Sequence, residues 1–245
     1  MSAITIVTGA SRGIGRAVAI ACAEAGHAVA VNYRSGAEAA ERVVGEISAA
    51  GGRAIAVQAD IAIEADVLRL FETVDRELGK LTGLVNNAGI HGPRGPLHAL
   101  TDADIAGVLD VNVRGVFLCA REAVKRMSTN SGGDGGAIVN ISSGSAHIGS
   151  PGDGVLYAAS KGAVNSLTIG LSQEVAGQGI RVNTVAPGLT ETDMPNPEVL
   201  KTKGPQLPSG RVGQPQEIAE AVLWLLSDKA SYVAGANLRV SGGKP

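Results

Sequence analysis

Short Val- and Ile-rich runs alternate along this chain with Ala-rich stretches whose apolar positions recur at the helical period. The strand candidates are Ile4–Thr8, Ala28–Asn32, Ala54–Gln58, Leu84–Asn86, Ala137–Ile141, Arg181–Val185 and Asn237–Val240. Helices are predicted over Ile14–Ala25, Ala37–Ala49, Glu64–Leu78, Asp102–Met127, Leu156–Ala176 and Gln214–Leu226. Strand and helix in regular alternation is the signature of parallel strands joined by crossover helices, so the expected class is α/β with seven parallel strands.

One stretch breaks the alternation. Between Thr190 and Gly213 the prolines 195, 197, 205 and 208 forbid a long helix. A loop of that length, placed after a strand's C-terminal end, is expected to lie over a ligand crevice as a substrate lid. The Gly-rich segment Ser131–Gly136 reads as a surface turn.

Length and composition narrow the function. The 245 residues, 44% of them hydrophobic and 18% charged, suit one α/β domain with a large core, so residues 1–245 are taken as a single domain. The 21 basic and 23 acidic residues are interspersed, which gives no footprint for nucleic acid. No apolar run approaches the ~20 residues that a membrane helix needs. Met1–Thr8 lacks a cationic start, unlike a signal peptide, so a cytoplasmic location is expected. Cys22 and Cys119 lie far apart in predicted helices and read as buried free thiols, and the four histidines have no metal-ligand spacing, so no metal is expected.

The first strand runs into Thr8-Gly-Ala-Ser-Arg-Gly-Ile-Gly15 and then into a helix. Gly9 permits a tight turn, Gly13 lets backbone approach a pyrophosphate, Gly15 allows close packing, and the helix start offers unpaired N–H groups to an anion. The spacing G-x-x-x-G-x-G departs from the commoner G-x-G-x-x-G, but its place at the first strand-helix turn points to a dinucleotide. Gly9, Ser11, Arg12, Gly13, Ile14 and Gly15 are therefore cofactor candidates. At the end of the second strand, where a carboxylate would hold the ribose of NAD, the chain reads Asn32-Tyr-Arg-Ser35. The missing acid, with Arg34 in this corner and Arg12 in the turn, favours the extra phosphate of NADP(H).

Tyr157 and Lys161, four apart in a predicted helix, share one face. An ammonium close by is expected to lower the phenol's pKa and make it an acid-base group. The preceding strand ends in Asn140-Ile-Ser-Ser143, and its C-terminal end should open onto the same crevice.

Over essentially its whole length the sequence resembles the short-chain dehydrogenase/reductase family. The resemblance rests on Thr8–Gly15, Asp60-Ile61, Asn86-Asn-Ala-Gly89, Asn112, Ser143, Tyr157-x-x-x-Lys161, Pro187-Gly188 and Ser241-Gly-Gly243. It implies a Rossmann-like, doubly wound sheet and hydride transfer between NADP(H) and a small carbonyl or alcohol substrate. By that resemblance Tyr157 would be the general acid, Ser143 would hydrogen-bond the carbonyl oxygen, Lys161 would hold the nicotinamide ribose, and Asn112 would anchor a water. Asp60 and Ile61 would flank the adenine, Asn87, Ala88 and Gly89 the adenosine ribose, and Pro187, Gly188, Leu189 and Thr192 the carboxamide.

The family's usual serine position is Gly144 here, and Ser143 stands fourteen residues before Tyr157. A one-residue insertion in 144–156 accounts for this, with Ser142 and Ser145 as alternatives. His147, in the same loop, reads as solvent-facing. Ala158, Gly162, Ser166 and Gly170 form a small-residue stripe on the catalytic helix. The family pairs that helix between copies, so a homotetramer is expected. Within the family, a 3-oxoacyl-(acyl-carrier-protein) reductase and a glucose-type sugar 1-dehydrogenase are the alternatives. Gln178 and the Ser131–Gly136 stretch offer little to an acidic carrier. A non-catalytic NADP(H) sensor is the alternative of another class, and the intact Ser143, Tyr157 and Lys161 argue against it. Sugar epimerases and dehydratases rank behind these.

Overall fold

All seven strands form and run parallel: β1 (Ile4–Val7), β2 (Ala28–Tyr33), β3 (Arg53–Gln58), β4 (Gly83–Asn86), β5 (Gly136–Ile141), β6 (Ile180–Pro187) and β7 (Asn237–Val240). The computed structural model describes residues 3–244. The sheet order is β3-β2-β1-β4-β5-β6-β7, as expected for a Rossmann-like sheet. It reverses direction between β1 and β4, and the crevice beyond their C-terminal ends is where such folds bind ligands.

The helices are α1 (Gly13–Glu24), α2 (Ala37–Ala49), α3 (Glu64–Glu77), α4 (Asp102–Leu109), α5 (Gly115–Met127), the single turn α6 (Ser145–Ile148), α7 (Val155–Val175), α8 (Pro197–Lys203) and α9 (Pro215–Leu226). Successive strand residues point to opposite faces, so β1 sends Ile6 into one core and Val7 into the other, and β5 does the same with Ile138 and Val139. On the Ile6 face pack Leu70 and Phe71 of α3, Cys119 and Met127 of α5, and Val175 of α7. On the Val7 face pack Val18 of α1, Val43 of α2 and Ile218 of α9. Burying one such side chain stabilises the fold by roughly 1.5–3 kcal/mol. Both cysteines are buried free thiols, and burial raises each pKa to about 12. Among the described residues no helix is long and apolar enough to cross a membrane, and no cluster of side chains could hold a metal.

Three expectations about elements need correcting. The helix read as continuous from Asp102 to Met127 is interrupted by a π-type turn, Asp110–Arg114, in which the Gly115 N–H reaches back to the Asp110 carbonyl. Side-chain periodicity barely registers one extra residue in a helix, which explains why the pattern hid it. The 190–213 stretch is not wholly loop. Asn196 caps the Glu198 N–H at 2.9 Å and Pro197 takes the first helical position, so the prolines that bar a long helix begin the short α8. The 144–156 loop contains the turn α6, which is too short to show a period.

Candidate active site

The site grows from the turn after β1. Gly9 and Gly13 adopt φ of 62° and 55°, a region that disfavours side chains. At Gly15 the constraint is space: a Cβ would lie 2.4 Å from both Asn87 Nδ2 and the Gly9 carbonyl oxygen. The turn is braced from two strands. The Thr8 hydroxyl accepts from the N–H groups of Asn87 and Ala88 at 3.0 Å, and the Asn87 amide donates to the carbonyls of Thr8 at 2.8 Å and Gly9 at 3.0 Å. From β2, Asn32 accepts from the Gly9 N–H at 3.2 Å while donating to the Val57 and Ala59 carbonyls. The sequence reading noticed Asn32 only as an absent acid; its work here is to hold the turn.

No side chain caps α1, so its first N–H groups remain for an anion, and a Cβ-free cradle lies in front of them. These features fit a dinucleotide pyrophosphate. Arg34 is exposed and enters no ion pair among the described residues, while Arg12 has one weak exposed partner, Asp193 at 3.6 Å. Thr192 stands over the turn, its methyl 3.4 Å from where a Gly13 Cβ would be. Ser11 and Ile14 flank this cradle and are partly buried.

The other candidates lie around the same crevice, with different freedom. The Asp60 carboxylate accepts from the Ala62 N–H at 3.0 Å, and Ile61 is buried against Gly115. Gly188 follows Pro187 at the end of β6 and packs so closely on Ser241 that a Cβ would come within 2.8 Å of its Cα. Leu189 accepts from the Gly213 N–H at 2.9 Å, which ties the base of the 190–213 segment. Gly89 sits at a convergence: a Cβ there would be 3.2 Å from both Asn112 Oδ1 and Lys161 Nζ.

Tyr157 and Lys161 both emerge from the first two turns of α7. The Ser143 hydroxyl stands toward the Tyr157 hydroxyl, where it favours the phenolate, and accepts from the Ser145 N–H at 3.1 Å. Ser142 is engaged elsewhere, donating to the Lys161 carbonyl at 3.1 Å. Lys161 Nζ lies 5.8 Å from the Tyr157 ring centroid and donates to the Ile141 carbonyl at 2.8 Å. Burial brings the Lys161 pKa down to about 8. The Tyr157 pKa moves up, because burial outweighs the Ser143 hydrogen bond. The lowering expected from Lys161 is not found in the protein alone, where desolvation sets the direction.

Asn112 occupies the π-type turn and is fully buried. It holds Ile90 in both directions, accepting from its N–H and donating to its carbonyl, each at 2.8 Å, and donates to Ser160 at 3.0 Å. The side chain therefore clamps the segment after β4 to α7. One residue that the sequence reading passed over lies against the catalytic ring: His91 stacks on Tyr157 with ring centroids 4.9 Å apart. His147, noted from sequence, is exposed and lies 3.5 Å from Asn237.

This arrangement places a hydroxyl pair and a buried ammonium at the same end of the sheet as the glycine turn, and comparisons with known proteins show the family to which it belongs. A family model described as enoyl-(acyl carrier protein) reductase matches residues 9–244. The uncharacterized oxidoreductase YgfF of Escherichia coli is 51% identical over 99% of this chain and 100% of its own length. The 3-oxoacyl-[acyl-carrier-protein] reductase FabG of Staphylococcus aureus is 41% identical over 99% of this chain and 98% of its own. A short chain dehydrogenase from Burkholderia cenocepacia, solved in complex with NADP, superposes with a TM-score of 0.91 at 37% identity, covering 98% of this chain and 96% of that one. With its parallel sheet, glycine turn and Tyr-Lys helix, the chain belongs to the short-chain dehydrogenase/reductase family of oxidoreductases.

Proposed function

We propose that this oxidoreductase interconverts a small carbonyl compound and its alcohol with NADP(H). The observation that carries the reading is the Ser143–Tyr157 hydroxyl pair beside a buried Lys161 ammonium, at the end of the sheet that also holds the glycine turn. The nicotinamide, when bound, supplies or accepts the hydride. The chain's own residues manage the oxygen and its proton. In reduction, Tyr157 gives its hydroxyl proton to the oxygen on which negative charge develops. Ser143 donates to the same oxygen, and both stabilise charge that exists mainly in the transition state. Lys161 sets a positive charge near the phenolate left behind and would hold the ribose. In oxidation the same groups run in reverse.

Because the Asn112 amide is engaged with Ile90 and Ser160, a proton relay at this position would run past its main chain rather than its side chain. The Gly9–Gly15 turn would take the pyrophosphate, with Arg34 and Arg12 meeting the phosphate specific to NADP. Asp60, Ile61, Asn87, Ala88 and Gly89 would line the adenosine side, and Pro187, Gly188, Leu189 and Thr192 the nicotinamide side. The NADP complex of the Burkholderia cenocepacia relative supports this choice of cofactor.

A second reading, 3-oxoacyl-(acyl-carrier-protein) reduction, is favoured by the identity to FabG. Against it, Lys80 is already paired with Asp134, and Gln178 is bonded to Ser128 where a free cation would serve an acidic carrier. For assembly, a homotetramer is supported by Gly162 and Gly170, whose α-carbons face open space, and by exposed Ile169 and Phe117. Sedimentation velocity reads that state directly.

The deciding experiment follows NADPH consumption at 340 nm against ketones, aldehydes and acetoacetyl-N-acetylcysteamine, and NADP reduction with glucose. Tyr157→Phe serves as the control. Turnover that disappears in Tyr157→Phe, while NADPH still binds, supports the reading. Turnover that survives the substitution, or NADPH binding without turnover across the panel, overturns it in favour of another catalyst or a sensor.

A further inference from the structure

The proton chemistry proposed above makes no use of His91, yet its imidazole lies against the Tyr157 ring with centroids 4.9 Å apart and planes inclined by only 20°. We infer that His91 is a positioning residue for Tyr157, its ring fixing the plane of the phenol so that the hydroxyl stays at Ser143. This inference rests on the reading of Tyr157 as the proton donor.

The ring is held in place from several sides. Gly154, immediately before α7, leaves room for it: a Cβ there would come 2.9 Å from both Cε1 and Nε2 of His91. Nδ1 lies 3.3 Å from the Gly92 carbonyl. Gly92 itself sits so close to α4 that a Cβ would be 2.4 Å from Val108 Cγ2. Beyond the ring, Arg94 pairs with Asp153 at 2.6 Å, and the Gly95 N–H donates to the Asp153 carbonyl at 3.2 Å. The segment after β4 is thus fastened at Asp153 to the segment before α7, and at Gly92 it packs on α4.

Tyr157 needs such support. A phenol's χ2 torsion is broad, and one hydroxyl hydrogen bond to Ser143 leaves the ring free to swing about it. A flat neighbour removes that freedom, since offset-stacked rings have a preferred geometry. Burial lowers the imidazole's pKa, and the Arg94 guanidinium adds to it, against the Gly92 carbonyl and the Asp153 carboxylate, which favour protonation; Arg94 and Asp153 are the charged groups that face the ring. At neutral pH the ring is therefore an uncharged stacking surface and covers the phenol from water.

The test compares His91→Ala, His91→Phe and Gly154→Ala with the parent. Ionisation of Tyr157 is read by tyrosinate absorbance as the difference from Tyr157→Phe, with no substrate or cofactor needed. Loss of the cover in His91→Ala and Gly154→Ala should lower the titration midpoint toward the ordinary phenol value, and His91→Phe should hold it. With the best carbonyl from the panel, His91→Ala should lose about tenfold in kcat at unchanged NADPH affinity, and His91→Phe should recover most of it. A His91→Ala variant with the parent's midpoint and kcat, or a His91→Phe variant no better than His91→Ala, would overturn the inference. Turnover retained in Tyr157→Phe refutes the catalytic reading separately and leaves the effect of the stack on the titration standing.

Discussion

The Lys161 ammonium donates to the Ile141 carbonyl at 2.8 Å from a fully buried position, and burial holds its pKa at about 8 against an ordinary 10.5. The unfolded chain therefore binds a proton more readily than the folded one between these values, so Lys161 makes stability rise with pH from about 8. Below that the burial penalty is present in full. Replacing Lys161 with Met should abolish turnover while stabilising the protein by ~1–3 kcal/mol at pH 7, after allowing for the orphaned Ile141 carbonyl. Urea unfolding at pH 7 and 8.5 measures this. The gap between variant and parent should narrow at the higher pH, and a variant less stable than the parent at pH 7 refutes the argument. Cys22 and Cys119, raised to about 12, lower stability above pH 9 in both proteins and cancel in the comparison.

The neighbouring serines should separate cleanly. Ser143→Ala removes the partner of the Tyr157 hydroxyl and should reduce kcat by about 10²-fold with little change in unfolding midpoint. Ser142→Ala instead removes a second donor from the Lys161 carbonyl, which the helix ladder of α7 still serves, and should destabilise by ~1 kcal/mol. Ser145 contributes its N–H rather than its hydroxyl to Ser143, so Ser145→Ala should leave kcat near the parent value. If Ser142→Ala loses more turnover than Ser143→Ala, the assignment of roles is reversed.

The contrast among these serines shows what the sequence could reveal. The chain order of motifs carried the sheet, the glycine turn and the Tyr157–Lys161 face, because strand and helix periods and a four-residue helical repeat are local properties. The choice of Ser143 over Ser142 depended on which hydroxyl turns to the Tyr157 side chain and which to the Lys161 main chain of α7, a matter of backbone geometry just past the end of β5. Asn32 and Asn87 looked like a corner and a motif; their bonds to the Gly9 turn link residues that only the parallel pairing of β1 with β2 and β4 brings together. The π-type turn at Asn112 and the stacking of His91 on Tyr157 left no periodic or compositional mark. For Tyr157, sequence supplied the nearby ammonium but not the burial that opposes it.

Cofactor preference should respond to Arg34 and Arg12 as point charges on an exposed surface. Arg34→Ala should raise the KM for NADPH by about tenfold and leave that for NADH nearly unchanged. The parent's preference should weaken as salt rises, since both guanidinium groups face water. Asp193→Asn frees Arg12 from its one ion pair among the described residues and should lower the KM for NADPH modestly. Equal effects of Arg34→Ala on both cofactors would mean that the guanidinium does not meet the additional phosphate.

Gly15 and Gly45 provide a matched pair for the cradle, since both lie inside helices yet meet different surroundings. A methyl group at Gly15 would stand 2.4 Å from Asn87 Nδ2 and the Gly9 oxygen, so the brace between β4 and the turn must move to admit it. Gly15→Ala should therefore lose NADPH binding by an order of magnitude or more and lower the unfolding midpoint. At Gly45, on the exposed side of α2, a Cβ meets nothing within 4 Å, and the better helix propensity of alanine should stabilise by ~0.5–1 kcal/mol. Titrating the quenching of tryptophan fluorescence by NADPH, together with thermal unfolding, reads both variants. If Gly15→Ala binds as tightly as Gly45→Ala, the close approach of Asn87 to α1 is not what shapes the dinucleotide cradle.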